Sequence, residues 1–308
     1  MAAAFLGAAC SLLLDTSTEQ CTSDQDCVNR GGAFAGMRCE NRVCVPNDAG
    51  VEDAADAADA DAAPVDAGQW GCLGHVVEPQ SDAGNDVQVT VPLIDLTTKQ
   101  PVTDTDVHAI VCAKIDVNCT SPLALTQPDA SGHLVLTLAS GFDGFVYIVP
   151  VLPEGGAPDA GDGSPPDVFV PSLVFFNPPI YADTTYTTIV MVKSSELGGI
   201  AQIEGTTIDP GLGAVFMDTV NCYGQPAAGV GVTLDQTTGT TQGFYFQGGL
   251  PALNAPSTDA TGYAGFVNAP LGTRTVNGTV AATQQHIGSA TVFTRASTIS
   301  YTVLAPSP

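Results

Sequence analysis

The chain has 308 residues, 44% of them hydrophobic, which is enough for two domains with buried cores. Its 32 acidic and 8 basic residues give a net charge of −24, which repels phosphate backbones and anionic lipid head groups and excludes nucleic acid as a partner. Nine cysteines without a C-x-x-C pair argue against a zinc ribbon or a redox dithiol and favour an oxidising compartment. No apolar run reaches the roughly 18 residues that a membrane-spanning helix needs.

The first region, residues 1–20, is apolar and contains one cysteine, Cys10, in the stretch FLGAACSLLLD. Three interpretations are open: an odd member of a disulfide set, a buried core cysteine, or the modified first residue of a mature protein. The nine residues before Cys10 include no basic residue and are short for a signal peptide, so we expect the true start to lie upstream of Met1.

Residues 21–46 contain four cysteines in the spacing C-x5-C-x11-C-x4-C. A segment this small cannot bury enough apolar surface to fold unaided, so two disulfides are expected to hold it together. Three pairings are possible, and the sequence does not choose between them. The four candidates are Cys21, Cys27, Cys39 and Cys44. Three arginines in the same module leave a weaker case for contact with an acidic partner: Arg30, Arg38 and Arg42.

Residues 47–69 contain seven acidic residues, no basic ones and, before the final glutamine, little larger than valine. Such a segment repels itself and cannot bury a core, so we predict a disordered, extended acidic linker. Calcium binding is the alternative, but Ca²⁺ loops need a glycine-fixed turn that these Asp-Ala repeats do not provide. We therefore expect no metal site.

From Trp70 onward, short runs rich in valine, threonine, isoleucine and phenylalanine alternate with turn residues, which is typical of an all-β sandwich. The clearest runs are residues 87–96, 133–138, 144–151, 184–193, 229–234 and 298–304. One stretch, residues 194–205, departs from this pattern: it has a serine cap, an apolar face and a terminal glycine, and it predicts a short helix. The helix divides the region into two β-sandwiches, residues 70–193 and 206–308.

A repeated motif supports this division. The sequence D-A-[ST]-G occurs once in each half, with Asp129 and Gly132 in the first copy and Asp259 and Gly262 in the second. In such a turn the aspartate accepts hydrogen bonds from backbone amides, and the glycine adopts a positive φ. We therefore interpret all four residues as parts of structural turns between strands.

Four further disulfide candidates lie in the sandwiches: Cys72, Cys112, Cys119 and Cys222. The stretch CAKIDVNC closes a short loop, which favours a bridge between Cys112 and Cys119. By elimination Cys72 then pairs with Cys222, a hypothesis that a Cys72–Cys112 bridge would contradict.

No catalytic constellation is present. His75 and Glu78 match the H-x-x-E pair of zinc carboxypeptidases, but the other histidines follow no ligand pattern: His108, His133 and His286. There is no G-x-S-x-G elbow and no phosphate-binding glycine loop. We expect a non-enzymatic protein without a cofactor.

The second half resembles the carboxypeptidase regulatory-like domain, a transthyretin-like β-sandwich. The matching motifs are PAAGVGV (226–232), TDATGYAGF (258–266) and APLGTRTV (269–276). Residues 87–151 resemble the family more loosely, since PVTDTDVHAI lacks its glycine. The resemblance implies two tandem Ig-like or transthyretin-like sandwiches in a mostly non-catalytic family, grouped with carbohydrate-binding-like folds.

The order of a cysteine after small residues, a cysteine-rich knot, an Asp/Ala linker and β-domains resembles that of Gram-negative surface lipoproteins. LGAAC departs from their usual L-A-G-C. The resemblance implies that Cys10 is lipidated and that the protein lies in the outer membrane or at the cell surface, held by its lipid anchor alone, or is secreted.

The leading functional hypothesis is therefore a structural or adhesive surface lipoprotein that contacts an unknown protein or glycan. The alternative is a carbohydrate-binding module, for which Tyr245 and Tyr263 are the candidate aromatic residues. Aromatic platforms for sugars favour exposed Trp and Tyr, and Trp70 is the only tryptophan.

Overall fold

A computed structural model describes Ser23, Gln25 and residues 37–40, 43–46, 68–77, 84–151, 167–252 and 254–307. The chain forms two compact units, Met1–Ala63 and Pro64–Pro308. In the first unit, β1 (Met37–Glu40) and β2 (Val43–Pro46) form an antiparallel pair with Cys39 opposite Cys44. Cys39 is disulfide-bonded. The predictions for Cys10, Cys21, Cys27 and nearly all of the acidic linker lie outside the described residues.

The second unit is built almost entirely from strands, which confirms the predicted all-β fold. The strands before the helix are β3 (Asp86–Asp95), β4 (Val107–Ala113), β5 (Ala124–Thr126), β6 (His133–Ala139), β7 (Gly144–Pro150), β8 (Ser172–Phe175), β9 (Thr184–Thr185) and β10 (Ile189–Met191). After α1 (Ser194–Ile203) come β11 (Gly213–Thr219), β12 (Val230–Leu234), β13 (Gln242–Gln247), β14 (Leu250–Ala252), β15 (Tyr263–Ala269), β16 (Gly272–Val280), β17 (His286–Thr294) and β18 (Ile299–Leu304).

We call the strands before α1 the first half and the strands after it the second half. In each half the opening strand pairs with the strand that follows the D-A-[ST]-G motif, as β3 does with β6 and β11 with β15. The last strand of each half runs parallel to that opening strand, as β10 does to β3 and β18 to β11. The two halves therefore repeat one strand arrangement.

The halves share a sheet. Strand β8 of the first half pairs in parallel with β18 of the second, with Ser172 opposite Ile299 and Val174 opposite Tyr301. This joint creates a nine-stranded sheet in the order β14-β13-β15-β11-β18-β8-β7-β4-β5. Both joint strands are buried along their whole length, as expected for strands covered on both faces.

The nine-stranded sheet lies between two hydrophobic cores. On one face it packs against β3, β6, β10 and α1, and on the other against the three-stranded sheet β12-β16-β17. Alternate residues of one strand supply the two cores: Phe216 of β11 faces the first, whereas Val215 and Met217 face the second. The outer strand β6, which the sequence predicted as a strand at residues 133–138, has one covered face and shows a strict buried–exposed alternation.

The helix lies where the sequence predicted it, but its cap differs from the prediction. Ser194 is the first helical residue, and Lys193 before it is the N-cap residue. The backbone N–H of Lys193 donates to the Glu196 carboxylate at 2.7 Å, as in the glutamate half of a capping box. The N–H of Ser195 in the first turn, which a capping serine was expected to satisfy, donates to the Asp167 carboxylate at 3.0 Å. Past the end of the helix, Gly205 adopts a φ of +73°.

The division of the second unit into sandwiches at residues 70–193 and 206–308 stays a prediction, since the contacts place residues 64–308 in one compact unit. Within the described residues, no helix has the length and apolar character to cross a bilayer.

Candidate functional site

In the first D-A-[ST]-G turn, the aspartate accepts backbone hydrogen bonds and the glycine lies close to a neighbouring backbone. The Asp129 carboxylate accepts hydrogen bonds from the backbone N–H groups of Ser131 and His133, at 2.8 and 2.9 Å. These bonds hold the pKa of Asp129 below its usual value, and the bond from the His133 N–H has the largest effect. Gly132 has a φ of +75°, and a Cβ on it would lie 2.7 Å from the Leu93 carbonyl oxygen.

The second turn repeats this arrangement. Asp259 accepts from the N–H of Thr261 at 2.9 Å, and Gly262 has a φ of +73°. A Cβ on Gly262 would lie 2.5 Å from the Thr219 carbonyl oxygen. Burial alone would raise the pKa of Asp259, but bonds from Thr261 and the Gly248 N–H hold it below its usual value.

Each motif glycine also lies close to a loop proline in its own half of the chain, Pro101 in the first half and Pro226 in the second. The Cβ position of Gly132 lies 2.9 Å from Cβ of Pro101, and that of Gly262 lies 3.4 Å from Cα of Pro226. Pro101 pairs with Ile94 at the end of the opening strand, and Pro226 pairs with Val220 in the same way. The two motifs are thus equivalent structural corners: both aspartates accept backbone N–H groups of their own turn, and Asp259 also accepts the N–H of Gly248.

Both disulfides predicted in the sandwiches are present. Cys112 and Cys119 close a loop of seven residues after β4. Cys72 joins Cys222 across 150 residues and so ties the start of the second unit to the loop after β11. Trp70, two residues before Cys72 in the chain, is half-buried and packs against the second core.

The four histidines lie apart in the fold. His75 follows the turn at Gly68–Trp70, whereas His108, His133 and His286 lie on β4, β6 and β17. Glu78, the partner of His75 in the H-x-x-E motif, lies outside the described residues. Within the part of the chain that the structure describes, no three His, Cys, Asp or Glu residues form a group that could hold a metal ion.

The two candidate tyrosines have different surroundings. Tyr245 packs against the second core, and its hydroxyl accepts the backbone N–H of Val232 at 3.0 Å, so it is part of the packing between sheets. Tyr263 is half-buried and lines a surface groove. The sequence therefore identified one residue of the groove.

This inter-half groove is open to solvent and has a volume of about 650 Å³. One wall is the first-half segment 177–187, which leads into β10, and the other is formed by second-half residues that include Asp218, Thr261 and Tyr263. The walls are joined by a hydrogen bond from the Asn177 side chain to the Val303 carbonyl oxygen at 2.8 Å. The groove thus exists only because the two halves share a sheet.

Asp218 is the unusual residue of the groove. It lies on the same face of β11 as Phe216, directed toward the first core, and also lines a cavity of about 40 Å³ with Phe246 and Tyr301. The Thr187 hydroxyl donates to its carboxylate. Burial raises the pKa of Asp218 to about 7 despite that bond.

No cation balances this carboxylate among the described residues. The ion pairs there are Lys114 with Asp143, Lys193 with Asp95, and the His133–Asp129 contact within the first turn. The Asp218 charge in turn raises the pKa of Tyr263, which burial has already raised, to about 12. An ionisable group held in this way in a groove is a candidate for function.

Sequence reasoning missed Asp218 and Thr187. The available signal was the stretch GAVFMDT, in which an acidic residue follows five residues without a polar side chain in the same strand. Thr187 offered no signal, because its role depends on the approach of the two halves.

No family model matches the chain, and no curated protein matches it. Among solved structures, the Bacillus anthracis TIE protein is 11% identical, with a TM-score of 0.21, over 72% of this chain and 34% of its own. The shaft pilin SpaA of Lactobacillus rhamnosus GG is 10% identical, with a TM-score of 0.23, over 73% of this chain and 99% of its own. A minor pilin of Streptococcus agalactiae is 13% identical, with a TM-score of 0.20, over 72% and 98%. These scores carry no argument about function.

Proposed function

We propose that this protein is a non-enzymatic cell-surface lipoprotein whose two β-halves form one rigid module with a structural or adhesive role. The observation that carries the proposal is the shared nine-stranded sheet. A tandem of independent domains bends at its linker, whereas a continuous sheet with a core on each face does not.

Two further contacts support a rigid joint. The Cys72–Cys222 bridge connects the start of the first half to the second. The Arg295 guanidinium, at the end of β17, lies 5.5 Å from the Phe145 ring and 5.1 Å from the Tyr147 ring, both on β7 of the first half.

Rigidity is tested by native-state hydrogen exchange on the full chain. We expect slowly exchanging amides of β3 and β16, which lie in the outer sheets of opposite halves, to open with the same free energy, because neither half keeps its core without the shared sheet. Opening free energies that differ by more than about 2 kcal/mol would show that the halves unfold separately and would overturn the single module.

The anchor is a separate part of the proposal, based on the resemblance of the N-terminal region. Metabolic labelling of Gram-negative cells with an alkyne fatty acid is expected to label the native protein and not a Cys10→Ala variant, which should appear in the soluble fraction. Proteolysis of intact cells then tests surface exposure. Equal labelling of both proteins, or mass spectrometry showing an unmodified Cys10, would exclude the lipid anchor.

The carbohydrate-binding alternative has one residue in its favour, Tyr263 in the inter-half groove. Its ring packs edge-on against Phe246 at 6.0 Å, and Tyr186 of the opposite wall packs edge-on against Phe176 at 5.0 Å. Rings held by such contacts make poor flat platforms for sugars. We therefore favour a protein partner.

A further inference from the structure

We propose that the inter-half groove binds a basic side chain of an extended segment in a partner protein, with Asp218 as its counterion. This inference names a partner chemistry for the adhesive role and rests on that proposed function.

A carboxylate removed from water is costly unless a cation or several hydrogen-bond donors compensate it. Asp218 has one donor, the Thr187 hydroxyl, and no ion-pair partner among the described residues. Asp95, a buried carboxylate of the first half, is better compensated, since it has Lys193 and two backbone N–H groups as partners. The fold therefore maintains at Asp218 a charge that an incoming ammonium or guanidinium group would compensate.

The space beside Asp218 suits such a side chain. The groove volume of about 650 Å³ is in the range of ligand pockets and exceeds what one lysine needs. Its first-half wall carries exposed Pro178, Pro179 and Asp183, so a second carboxylate lies at the rim. A peptide that lies along this wall can direct a basic side chain toward Asp218.

Long-range electrostatics favours the same class of partner. The chain has a net charge of −24, which attracts basic surfaces and accelerates their association. An amino sugar would supply the same ammonium group, but two of the three tyrosines that line the groove, Tyr186 and Tyr263, have rings held edge-on by neighbouring aromatic rings. Binding of an amino sugar in place of the lysine peptide is therefore treated as an alternative outcome of the experiment.

The groups that face Asp218 define its pH dependence. Segment 177–187 contributes Asp183, Tyr186 and Thr187, β15 contributes Tyr263, and β18 contributes Tyr301. Lys99, in the loop after β3, lines the small cavity next to Asp218. All these tyrosines stay protonated at neutral pH, because burial raises the pKa of each of them. Asp218, with a pKa of about 7, is thus the groove residue whose charge changes near neutrality, and binding is expected to strengthen as pH rises through that value.

The test is an NMR titration of the full chain with two capped pentapeptides, one with a central lysine and the other with Nε-acetyl-lysine in its place. Above the pKa of Asp218, we expect the lysine peptide to shift groove resonances at millimolar concentration and the acetylated peptide to bind at least about tenfold more weakly. Asp218→Asn should abolish this difference, whereas Asp235→Asn, at an exposed position outside the groove, should preserve it.

Three results would overturn the proposal: equal binding of the two peptides, unchanged binding by Asp218→Asn, or no groove shift at about 10 mM peptide. Glucosamine that binds where the lysine peptide does not, with N-acetylglucosamine as its neutral control, would replace the protein partner with a glycan. Lys99→Gln is expected to leave the affinity within about twofold. A tenfold gain in this variant would show that Lys99 already neutralises Asp218. None of these readouts depends on lipidation, so a failed groove and a failed anchor are distinguishable.

Discussion

Asp218 of β11 lies directly opposite Tyr263 of β15, and the same aspartate accepts a hydrogen bond from Thr187 of the other half. One carboxylate therefore connects a cross-strand pair of the second half to the segment that leads into β10. Asp218 is half-buried and has the Thr187 hydroxyl as its hydrogen-bond donor, so partial desolvation of its charge adds a free-energy cost to folding at every pH at which Asp218 is ionised.

That cost predicts a pH-dependent stability. The folded pKa of about 7 lies above the ordinary value near 4, so the unfolded chain releases this proton first, and stability falls as pH rises from about 4 to about 7. Asp218→Asn removes this component and is expected to raise the free energy of unfolding at pH 8 by as much as about 4 kcal/mol. Urea unfolding at several pH values measures it, with Asp235→Asn as the control. If Asp218→Asn is less stable than the wild type at pH 8, the contacts of the Asp218 carboxylate stabilise the fold more than its charge destabilises it, which would contradict the prediction.

The motif glycines predict a second result. Gly132→Ala and Gly262→Ala each combine a positive φ with a Cβ less than 3.0 Å from a carbonyl oxygen, whereas Gly229, with a φ of +78°, has open space at its Cβ. We expect Gly229→Ala to cost about 1 kcal/mol of strain and the two motif variants to cost clearly more, on the order of 2–4 kcal/mol. Urea midpoints compare them. Equal losses at all three positions would mean that the turns relax without disturbing Leu93 and Thr219.

These turns were accessible from the sequence because D-A-[ST]-G encodes its own hydrogen bonds locally. Strands such as β3 and β6 were accessible for a similar reason, since one-sided burial leaves an alternating pattern in the sequence. The pairing of β8 with β18 was not accessible from the sequence. Both strands are buried throughout, so their sequences do not indicate which strand is their neighbour in the sheet.

The groove is lined by residues of both halves, so the sequence did not predict it. Of the two tyrosines that the sequence suggested as binding residues, Tyr263 lies in it. The surroundings of Asp218 are set by what the first half brings within reach, such as Thr187, which lies 31 residues earlier in the chain. The cap of α1 is a smaller case, because the N–H of Ser195 in its first turn donates to Asp167, which lies 28 residues earlier in the chain.

The Lys193–Asp95 pair predicts a third result. The two groups lie 2.7 Å apart, with side chains 30% and 7% exposed. Burial alone would raise the pKa of Asp95, but the bonds from Lys193 and Thr98 hold it below its usual value, and Asp95 in turn raises the pKa of Lys193. Lys193→Met is expected to cost about 1–3 kcal/mol near neutral pH, because Asp95 is left without its cation.

The sign of both shifts sets the pH range of this stabilisation. It is present above the ordinary aspartate pKa and is lost as pH falls through the depressed value; at the other end it is lost as pH rises through the raised pKa of Lys193. Urea unfolding of wild type and Lys193→Met across pH measures the difference. Lys114→Met is the control, since its pair with Asp143 is exposed at 54% and 72% and is expected to contribute less than about 1 kcal/mol. A loss for Lys193→Met no larger than for the control would contradict the prediction.

The two disulfides predict a fourth result, because they close loops of very different length. In the chain-entropy description, a bridge across 150 residues stabilises the fold by about 5 kcal/mol, and one across 7 residues by about 2 kcal/mol. The double variant Cys72→Ala/Cys222→Ala is thus expected to lose more than twice the stability that Cys112→Ala/Cys119→Ala loses, measured by urea unfolding without reductant. A larger loss of stability in Cys112→Ala/Cys119→Ala than in Cys72→Ala/Cys222→Ala would contradict the prediction. It would show that the pairing of β8 with β18 already restrains the two halves and that the long bridge adds little stability.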